Sequence, residues 1–408
     1  MAIAEVSGQR AASVRGRWRA LGLIAAVQVL AMSVWFSASA VVPTLREEWG
    51  ISSGGASWLT GAVQIGFVAG AVGSAVLNLA DRIPARILIA GSAVGAASTN
   101  AAVALAADGL ATAIPMRFLT GACLAGVYPV GMKLMASWFV RGRGMAIGVL
   151  VGALTLGSGS PHLIRAIGDP PWQLVLLIGS ALALVGGAVI LFVADGPYGA
   201  PTPPLDLRWA ANVVRDRPVR LANVGYLGHM WELYAVWTWL PAYLAASLGA
   251  TSGAAALSFV AIGVAGLVGA VGAGLVADRL GRTATTIGAM AVSGTCALLS
   301  APLFGAPAAI VAALAVVWGV TVIADSAQFS VAVSELSDPR YVGTALTLQT
   351  AAGFLLTVAS IRLVGGLGAD WGWRWAFPVL AVGPAVGIHA MWRLRGDAAA
   401  ERLAGGAR

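Results

Sequence analysis

Twelve long apolar runs dominate this 408-residue chain, centred near Met32, Phe67, Gly95, Leu124, Ala153, Ala183, Met230, Ala265, Ser293, Val317, Gly353 and Leu380. A hydrocarbon slab about 30 Å thick demands roughly 18 or more apolar residues from each helix that spans it, a demand no soluble fold makes. Lipid offers no hydrogen bonds, so every backbone N–H and C=O must find a partner within the protein, and runs of this length exclude strands. The chain reads as an all-α membrane protein of twelve transmembrane helices. Hydrophobic residues make up 59% of it and charged ones 10%, which leaves no segment outside the membrane long enough for a separate soluble domain.

The runs come in two sets. Asp81-Arg82 and Asp278-Arg279 stand 197 residues apart, and the same offset superposes Arg165 on Arg362, Gly91 on Gly288, Tyr128 on Asp325 and Trp35 on Glu232. A repeat of that length in a membrane chain implies two pseudo-symmetric six-helix bundles that enclose a site at the bilayer midplane and expose it to either side as they rock. The expected division is a tail over 1–19, a first bundle over 20–194, a linker over 195–217, a second bundle over 218–392 and a tail over 393–408. Asp195, Pro197, Pro201, Pro203 and Pro204 break the apolar pattern in the linker. Glycines inside the runs, such as Gly66, Gly70, Gly73, Gly148 and Gly152, let helix backbones approach closely.

Placing both termini, the linker and the loops that carry Arg82, Arg86, Arg141, Arg143, Arg279, Arg282 and Arg340 on the cytoplasmic side puts 19 of the 25 basic residues there. The positive-inside rule is satisfied, and the net charge of +8 is explained by topology and anionic lipid without a nucleic-acid partner. Arg46, Arg165, Arg362 and Arg374 fall at the outer face. The basic N-terminal stretch and Ala38-Ser39-Ala40 imitate a cleaved signal peptide. Cleavage is rejected, because the first run is the repeat partner of the seventh. Cys123 and Cys296 both lie inside the membrane and read as packing residues. The strong preference for Arg over Lys suggests a GC-rich bacterium, and with it the inner membrane.

Gly274-Leu-Val-Ala-Asp278-Arg279-Leu-Gly281-Arg282 resembles the loop signature of the major facilitator superfamily of secondary transporters. Arg117-Phe-Leu-Thr-Gly121, running on to Gly126 and Pro129, is similar to the family's fourth-helix motif. The resemblance spans roughly Arg19 to Arg395. In the first half Asp81-Arg82 survives, but Leu77 replaces the glycine and Pro84-Ala85 replaces Gly-Arg. The resemblance implies alternating access, with Asp81, Arg82, Gly274, Asp278, Arg279, Gly281 and Arg282 as a gating latch: an Asp at a helix end faces a neighbouring helix N-terminus while the arginines pair with acids or carbonyls. Simple positive-inside anchoring is the rival for these arginines. An Arg at the position of Arg117 is associated in that family with proton coupling. It also suits a bidentate grip on an anionic substrate, or a clamp on helix carbonyls. The drug-exporter branch carries Gly-Pro in the fifth helix where this chain has Ser160-Pro161, a departure from the antiporter pattern.

Charge inside a bilayer is expensive, so each intramembrane ionisable residue carries a functional hypothesis. Glu232 sits near the middle of its span among glycines and aromatics, and burial without a partner would link its protonation to conformation or substrate occupancy. It is the expected proton-coupling carboxyl, with His229 one turn away to share the proton; a permanently paired or protonated Glu is the alternative. Helical period puts His229, Glu232, Val236, Trp239 and Tyr243 on one face, and Trp231, Tyr234 and Trp239 supply an aromatic lining for the cavity. Trp35, equivalent to Glu232, is expected to face the same space, as are Gln28, Gln64, Tyr128 and His162; Asn100 is a further polar candidate. His162 follows Pro161, where the fifth helix is expected to kink or unwind. Asp325 reads as a gate residue or a cap. Arg165 and Arg362 form either a symmetric outer vestibule or a pair of snorkelling anchors.

No histidine, cysteine and carboxylate cluster has metal-ligand spacing, no cofactor is implied, and neither a phosphate-binding loop nor a nucleophile with its base is present, so the chain is not expected to be an enzyme. The expected partners are a small solute, protons and the lipid bilayer, with the chain acting as a monomer. Import by proton symport is the expected function. Proton-driven efflux of an amphipathic or aromatic compound and a transporter-like sensor are its rivals. The aromatic lining with one acid suits a cation or neutral ring, and the arginines suit an anion.

Overall fold

The computed structural model describes residues 2–139, 142–168, 170–198, 213, 215–249, 251–338 and 341–406. Arg141, Arg208, Arg340, Arg408 and the linker residues 199–212 and 214 lie outside that set. The first six-helix bundle comprises α1 (Ala2–Met32), α2 (Ser53–Val76), α3 (Ala85–Ala106), α4 (Leu110–Trp138), α5 (Arg143–Ala166) and α6 (Trp172–Val189). The second comprises α7 (Arg217–Leu248), α8 (Gly253–Leu280), α9 (Arg282–Leu299), α10 (Ala308–Leu336), α11 (Val342–Asp370) and α12 (Trp373–Arg395).

Among the described residues nine of these helices are long and apolar enough to cross a membrane by composition alone. The other three are α1, α7 and α9. Of these α7 is enclosed by protein, buried along most of the stretch from Gly225 to Leu244, whereas α1 and α9 are partly exposed, at Trp18 and at Val292, Leu298 and Leu299. A helix that meets little lipid is free to carry polar and bulky aromatic side chains.

The two bundles meet along two seams. In one, α5 runs against α8 at near-backbone distance. A methyl on Gly148 would stand 3.0 Å from the Ala270 carbonyl oxygen, and one on Gly159 would stand 3.0 Å from the Gly263 backbone, while Thr155 Oγ1 donates to Gly263 O at 3.2 Å. In the other, α2 lies against α11, with Gly61 beside Val358. Glycine serves the same end within a bundle, because without a hydrophobic driving force between helices in lipid, close van der Waals packing must hold them. A Cβ on Gly66 would fall 1.9 Å from Phe118 O, and one on Gly121 2.0 Å from Val63 O, so α2 and α4 pack on each other in both directions.

The unwinding considered for α5 at Pro161 does not occur. Residues Arg143–Ala166 form one continuous helix through Pro161. Interruptions fall elsewhere: in α1, which gives way after Met32 to short helices Ser37–Ala40 and Val42–Trp49; in α4 between Leu124 and Tyr128; in α8, where Phe259–Ala265 is π-helical; and in α10 at Asp325. The α8–α9 turn rests on Gly281 at φ 87°, a conformation strained for any side chain. The first-half equivalent, Pro84, has φ −50° and starts α3 instead.

Replacing Gly66 by Val should therefore drive a side chain into the Phe118 backbone and cost about 1–3 kcal/mol or more. Gly91→Ala, with nothing within 4 Å, should be neutral. Thermal unfolding of the detergent-solubilised variants compares them; equal melting temperatures for both would contradict the packing described.

Candidate functional site

Between the bundles lies a cavity of about 650 Å³ that opens toward the end of the molecule carrying Asp81, Lys133, Arg282 and Glu335. Its mouth is charged but internally neutralised. Lys133 pairs with Asp81, and Arg282 grips Glu335 with two hydrogen bonds of 2.8 and 2.9 Å while donating a third, 2.8 Å, to Gln328 Oε1. Hydroxyls of Ser74, Ser326, Ser330, Ser334, Thr347 and Thr350 line the walls, and deeper in come Leu154, Met230, Leu233 and three tyrosines, Tyr128, Tyr226 and Tyr234.

An aromatic cluster drawn from both halves closes the deep end. Trp35 lies 5.0 Å from Phe67, 5.9 Å from Tyr234 and 5.7 Å from Phe354 between ring centroids, and Phe67 lies 4.5 Å from Phe354. Phe36 stacks on Tyr234 and meets Trp237 edge-on. At the far end Arg362 of α11 stands over the Trp58 ring of α2 at 4.8 Å, so a cation–π contact crosses the seam. Its repeat partner Arg165 donates instead to Ala40 O and Thr44 Oγ1, both at 3.3 Å and within its own bundle. The contacts of the two arginines thus differ between the halves.

Arg117 has no carboxylate partner among the described residues. Its guanidinium, fully buried, donates to Leu59 O (3.1 Å), Val34 O (3.0 Å), Asn100 Oδ1 (2.8 Å), Ser37 Oγ (3.4 Å) and Trp35 O. Val34 and Trp35 belong to the interruption of α1, whose carbonyls lost their helical partners. Asn100 is held in turn by Leu176 O and Ser180 Oγ. Of the readings open for Arg117, the geometry in this structure is that of the clamp on backbone carbonyls, and the side chain does not line the cavity.

Glu232 also departs from expectation. It is buried and accepts on both carboxylate oxygens, from Trp318 Nε1 at 2.7 Å and Ser293 Oγ at 2.8 Å, inside the second bundle. It is neither unpaired nor on the cavity wall. His229 turns to Asp325, with Nδ1 2.8 Å from Oδ1, and not to Glu232. Asp325 sits at the α10 break, between the cavity-lining Ile323 and Ser326. The polar face of α7 thus points into its own bundle: Trp239 donates to Ile361 O (2.8 Å), Tyr243 to Ser300 O (2.7 Å) and Trp231 to Val379 O (3.4 Å). The neighbouring face, Tyr226, Met230, Leu233 and Tyr234, meets the cavity. Trp35 and Glu232 diverge because α1 is interrupted at that level while α7 runs unbroken, so equal repeat positions point differently.

Of the residues expected to line the cavity, the structure places Tyr128 and Tyr234 there and Trp35 in its seal. Gln28, Gln64 and His162 are buried away from it, and Trp231 and Trp239 pack within the second bundle. Sequence reasoning passed over Tyr226, Phe67 and Phe354. The latter two sit at the centres of the second and eleventh runs, and that position was the available signal. At the latch, Asp278 lies against the first turn of α5, its oxygens 3.2 and 3.3 Å from where a Gly144 Cβ would be, and Gly274 meets Gly144 O at 3.3 Å by the same measure. Arg82 and Arg279 are exposed.

The Major Facilitator Superfamily profile matches residues 24–361 and 222–408, and the chain belongs to that family. It is similar to a galacturonate transporter of Dickeya chrysanthemi (27% identity over 44% of this chain and 52% of the relative). It is likewise similar to a hexuronate transporter (31%, over 41% and 39%) and a 3-(3-hydroxy-phenyl)propionate transporter (32%, over 32% of each), both of Escherichia coli (strain K12). The matches span about half or less of those relatives' lengths. Among solved structures the fold is similar to the nucleoside transporter NupG (TM-score 0.70, 13% identity, 92% of this chain and 99% of that one). It is also similar to the proton:xylose symporter XylE (0.69, 16%, 92% and 95%) and the human organic anion transporter MFSD10 (0.64, 15%, 91% and 98%).

Arg117→Met should leave three carbonyls of α1 and α2 and the Asn100 amide oxygen short of donors, costing about 3–5 kcal/mol. Arg117→Lys should not restore stability, since one ammonium cannot reach acceptors spread around a planar fork. A melting temperature unchanged in either variant would refute the clamp.

Proposed function

We propose that this chain is a secondary transporter that imports a small hydroxylated organic acid together with a proton by alternating access. The observation that carries the reading is the inter-bundle cavity, open at the basic end and sealed at the other by rings from both halves. A space reached from one side only, between two bundles joined along glycine-lined seams, is what a rocking carrier needs. The basic end is read as cytoplasmic by the positive-inside rule, which puts both termini in the cytoplasm of a bacterial inner membrane.

The cavity chemistry favours a solute with both apolar and hydroxyl-bearing surfaces. Three phenols and six Ser or Thr residues line it, and its charges are already paired. A carboxylate entering such a space is best carried with a compensating proton. The relatives named for uronates and a hydroxyphenyl acid agree with this class. The proton is assigned to the buried set Asp325, His229 and Glu232, where two acids share the second bundle with one histidine and protonation of either carboxylate removes a charge from a low-dielectric space. Asp325, flanked by cavity-lining residues, is the entry point; Glu232, tied to α9 and α10, converts the charge change into a shift of α7. Monomers suffice, since each chain encloses its own cavity.

Proteoliposomes with an inward proton gradient should accumulate D-galacturonate or 3-(3-hydroxyphenyl)propionate, and an uncoupler should abolish the accumulation. Glu232→Gln and Asp325→Asn should cut gradient-driven uptake about tenfold or more while solute counterflow persists. Uptake indifferent to the uncoupler would remove the proton from the mechanism, and transport of neither solute would remove the substrate class.

A further inference from the structure

The cavity seen here ends at the aromatic seal, but the helices that wall it continue beyond. On α5, Val151 and Leu154 line the cavity; Ser158 and His162 follow at successive turns of the ridge from Leu154. On α2, Ala71 and Ser74 line it, Phe67 belongs to the seal, and Gln64 follows one turn further. Trp35 of the α1 interruption is itself in the seal. All four side chains are essentially inaccessible, at 0–1% exposure. Both amide atoms of Gln64, the Ser158 hydroxyl, both ring nitrogens of His162 and the Trp35 indole N–H have no hydrogen-bond partner among the described residues.

Such groups are costly to bury, and several polar neighbours in the same bundle do find partners. Ser39 bonds Thr60 at 2.6 Å, Ser37 and Asn100 join the Arg117 clamp, and Ser160 bonds Gly157 O at 2.7 Å. Other buried side-chain atoms also lack hydrogen-bond partners among the described residues, at Arg17, Gln28, Asn223, His229, Thr283 and Gln349, and Asp325 Oδ1 has only its ion pair with His229. Of the whole set, only Gln64, Ser158, His162 and Trp35 lie on the α2 and α5 ridges that prolong the cavity walls or in the seal itself. The second half answers it across the seal with rings, Tyr234, Trp237 and Phe354.

We propose that Gln64, Ser158, His162 and the Trp35 indole N–H form the polar half of the solute site, hidden in this state and uncovered when the seal parts toward the other face of the membrane. This rests on the transporter reading above and names the solute's chemistry. One edge of the solute carries hydroxyl or carboxyl groups for these four neutral donors and acceptors, and the opposite face is a ring or apolar surface for the second-half aromatics. A cation finds no counter-charge here, and a wholly apolar solute leaves the four groups unsatisfied.

Accessibility and binding test it separately. In a Cys123→Ser, Cys296→Ala background of the full chain, Gln64→Cys and Ser158→Cys should react with an impermeant thiol reagent only from the face opposite the basic end, whereas Ser330→Cys should react from the basic end. Absence of labelling at 64 and 158 from that opposite face, or labelling there from the basic end, overturns the hidden site whether or not the solute class is right. Ser158→Ala and Gln64→Leu should raise the melting temperature of the solute-free protein by about 2–4 °C, because each removes an unsatisfied group, and should weaken half-saturation for D-galacturonate or 3-(3-hydroxyphenyl)propionate about tenfold. Unchanged half-saturation with transport intact overturns the proposal. If wild type carries neither solute, the transport reading of substrate fails while the labelling still decides the site.

Discussion

Every departure from regular helix in this molecule has to be repaired from within, because lipid supplies no hydrogen bonds. The interruption of α1 after Met32 is the most demanding case. It frees the carbonyls of Val34 and Trp35 deep in the first bundle, and Arg117 takes both while reaching Leu59 of α2 and Asn100 of α3. Four helices are thereby fixed around one guanidinium. The consequence for function is indirect: with the interruption held, Trp35 and Phe36 project toward the second half, where they meet Tyr234, Trp237 and Phe354 and seal the cavity. A charge buried away from the cavity sets the position of the rings that close its deep end.

The loop signature shows how a repeat can diverge so that the two bundles touch along one edge and stand apart at the other. Gly274 and Gly144 let α8 and α5 touch at the basic end, with the Asp278 carboxylate against the first turn of α5. An offset of 197 residues maps these two glycines onto Leu77 and Tyr341. Bulk therefore stands where α2 and α11 would need closest approach. There the cavity is open, with Ser74, Asn78 and Asp81 on one wall and Gly343, Leu346 and Thr347 on the other. Asp81 binds Lys133 of its own bundle. One seam stays closed along its length while the other gapes at one end.

The architecture was legible because lipid imposes a pattern that survives without tertiary knowledge: long apolar runs, a basic side, and a repeat visible in a few charged pairs. The site was less so. Helical period correctly grouped His229, Glu232, Trp239 and Tyr243 on one face but could not say whether that face met the cavity or the bundle interior. A polar face serves either, since both are shielded from lipid. The choice was made by α9 and α10, which bring Ser293 and Trp318 to the carboxylate. Repeat equivalence misled in the same region, because the interruption of α1 has no counterpart in α7. His162 was noticed for the proline beside it, yet the helix passes through Pro161 unbroken; its unsatisfied imidazole is the informative property, and that appears only with coordinates.

Placing the acids behind the cavity wall has a physical advantage over placing them in it. A carboxylate exposed to a water-filled cavity would titrate without moving any helix, since solvent would screen each change of charge. Glu232 is instead bonded to α9 through Ser293 and to α10 through Trp318, while His229 on the same helix meets Asp325 at the α10 break. A proton gained or lost there alters contacts among three helices at once, and α7 carries both Glu232 and the seal residue Tyr234 two positions later. On the proposed coupling, the short covalent path from acid to seal is the route by which a charge change in the second bundle would reach the rings that close the cavity.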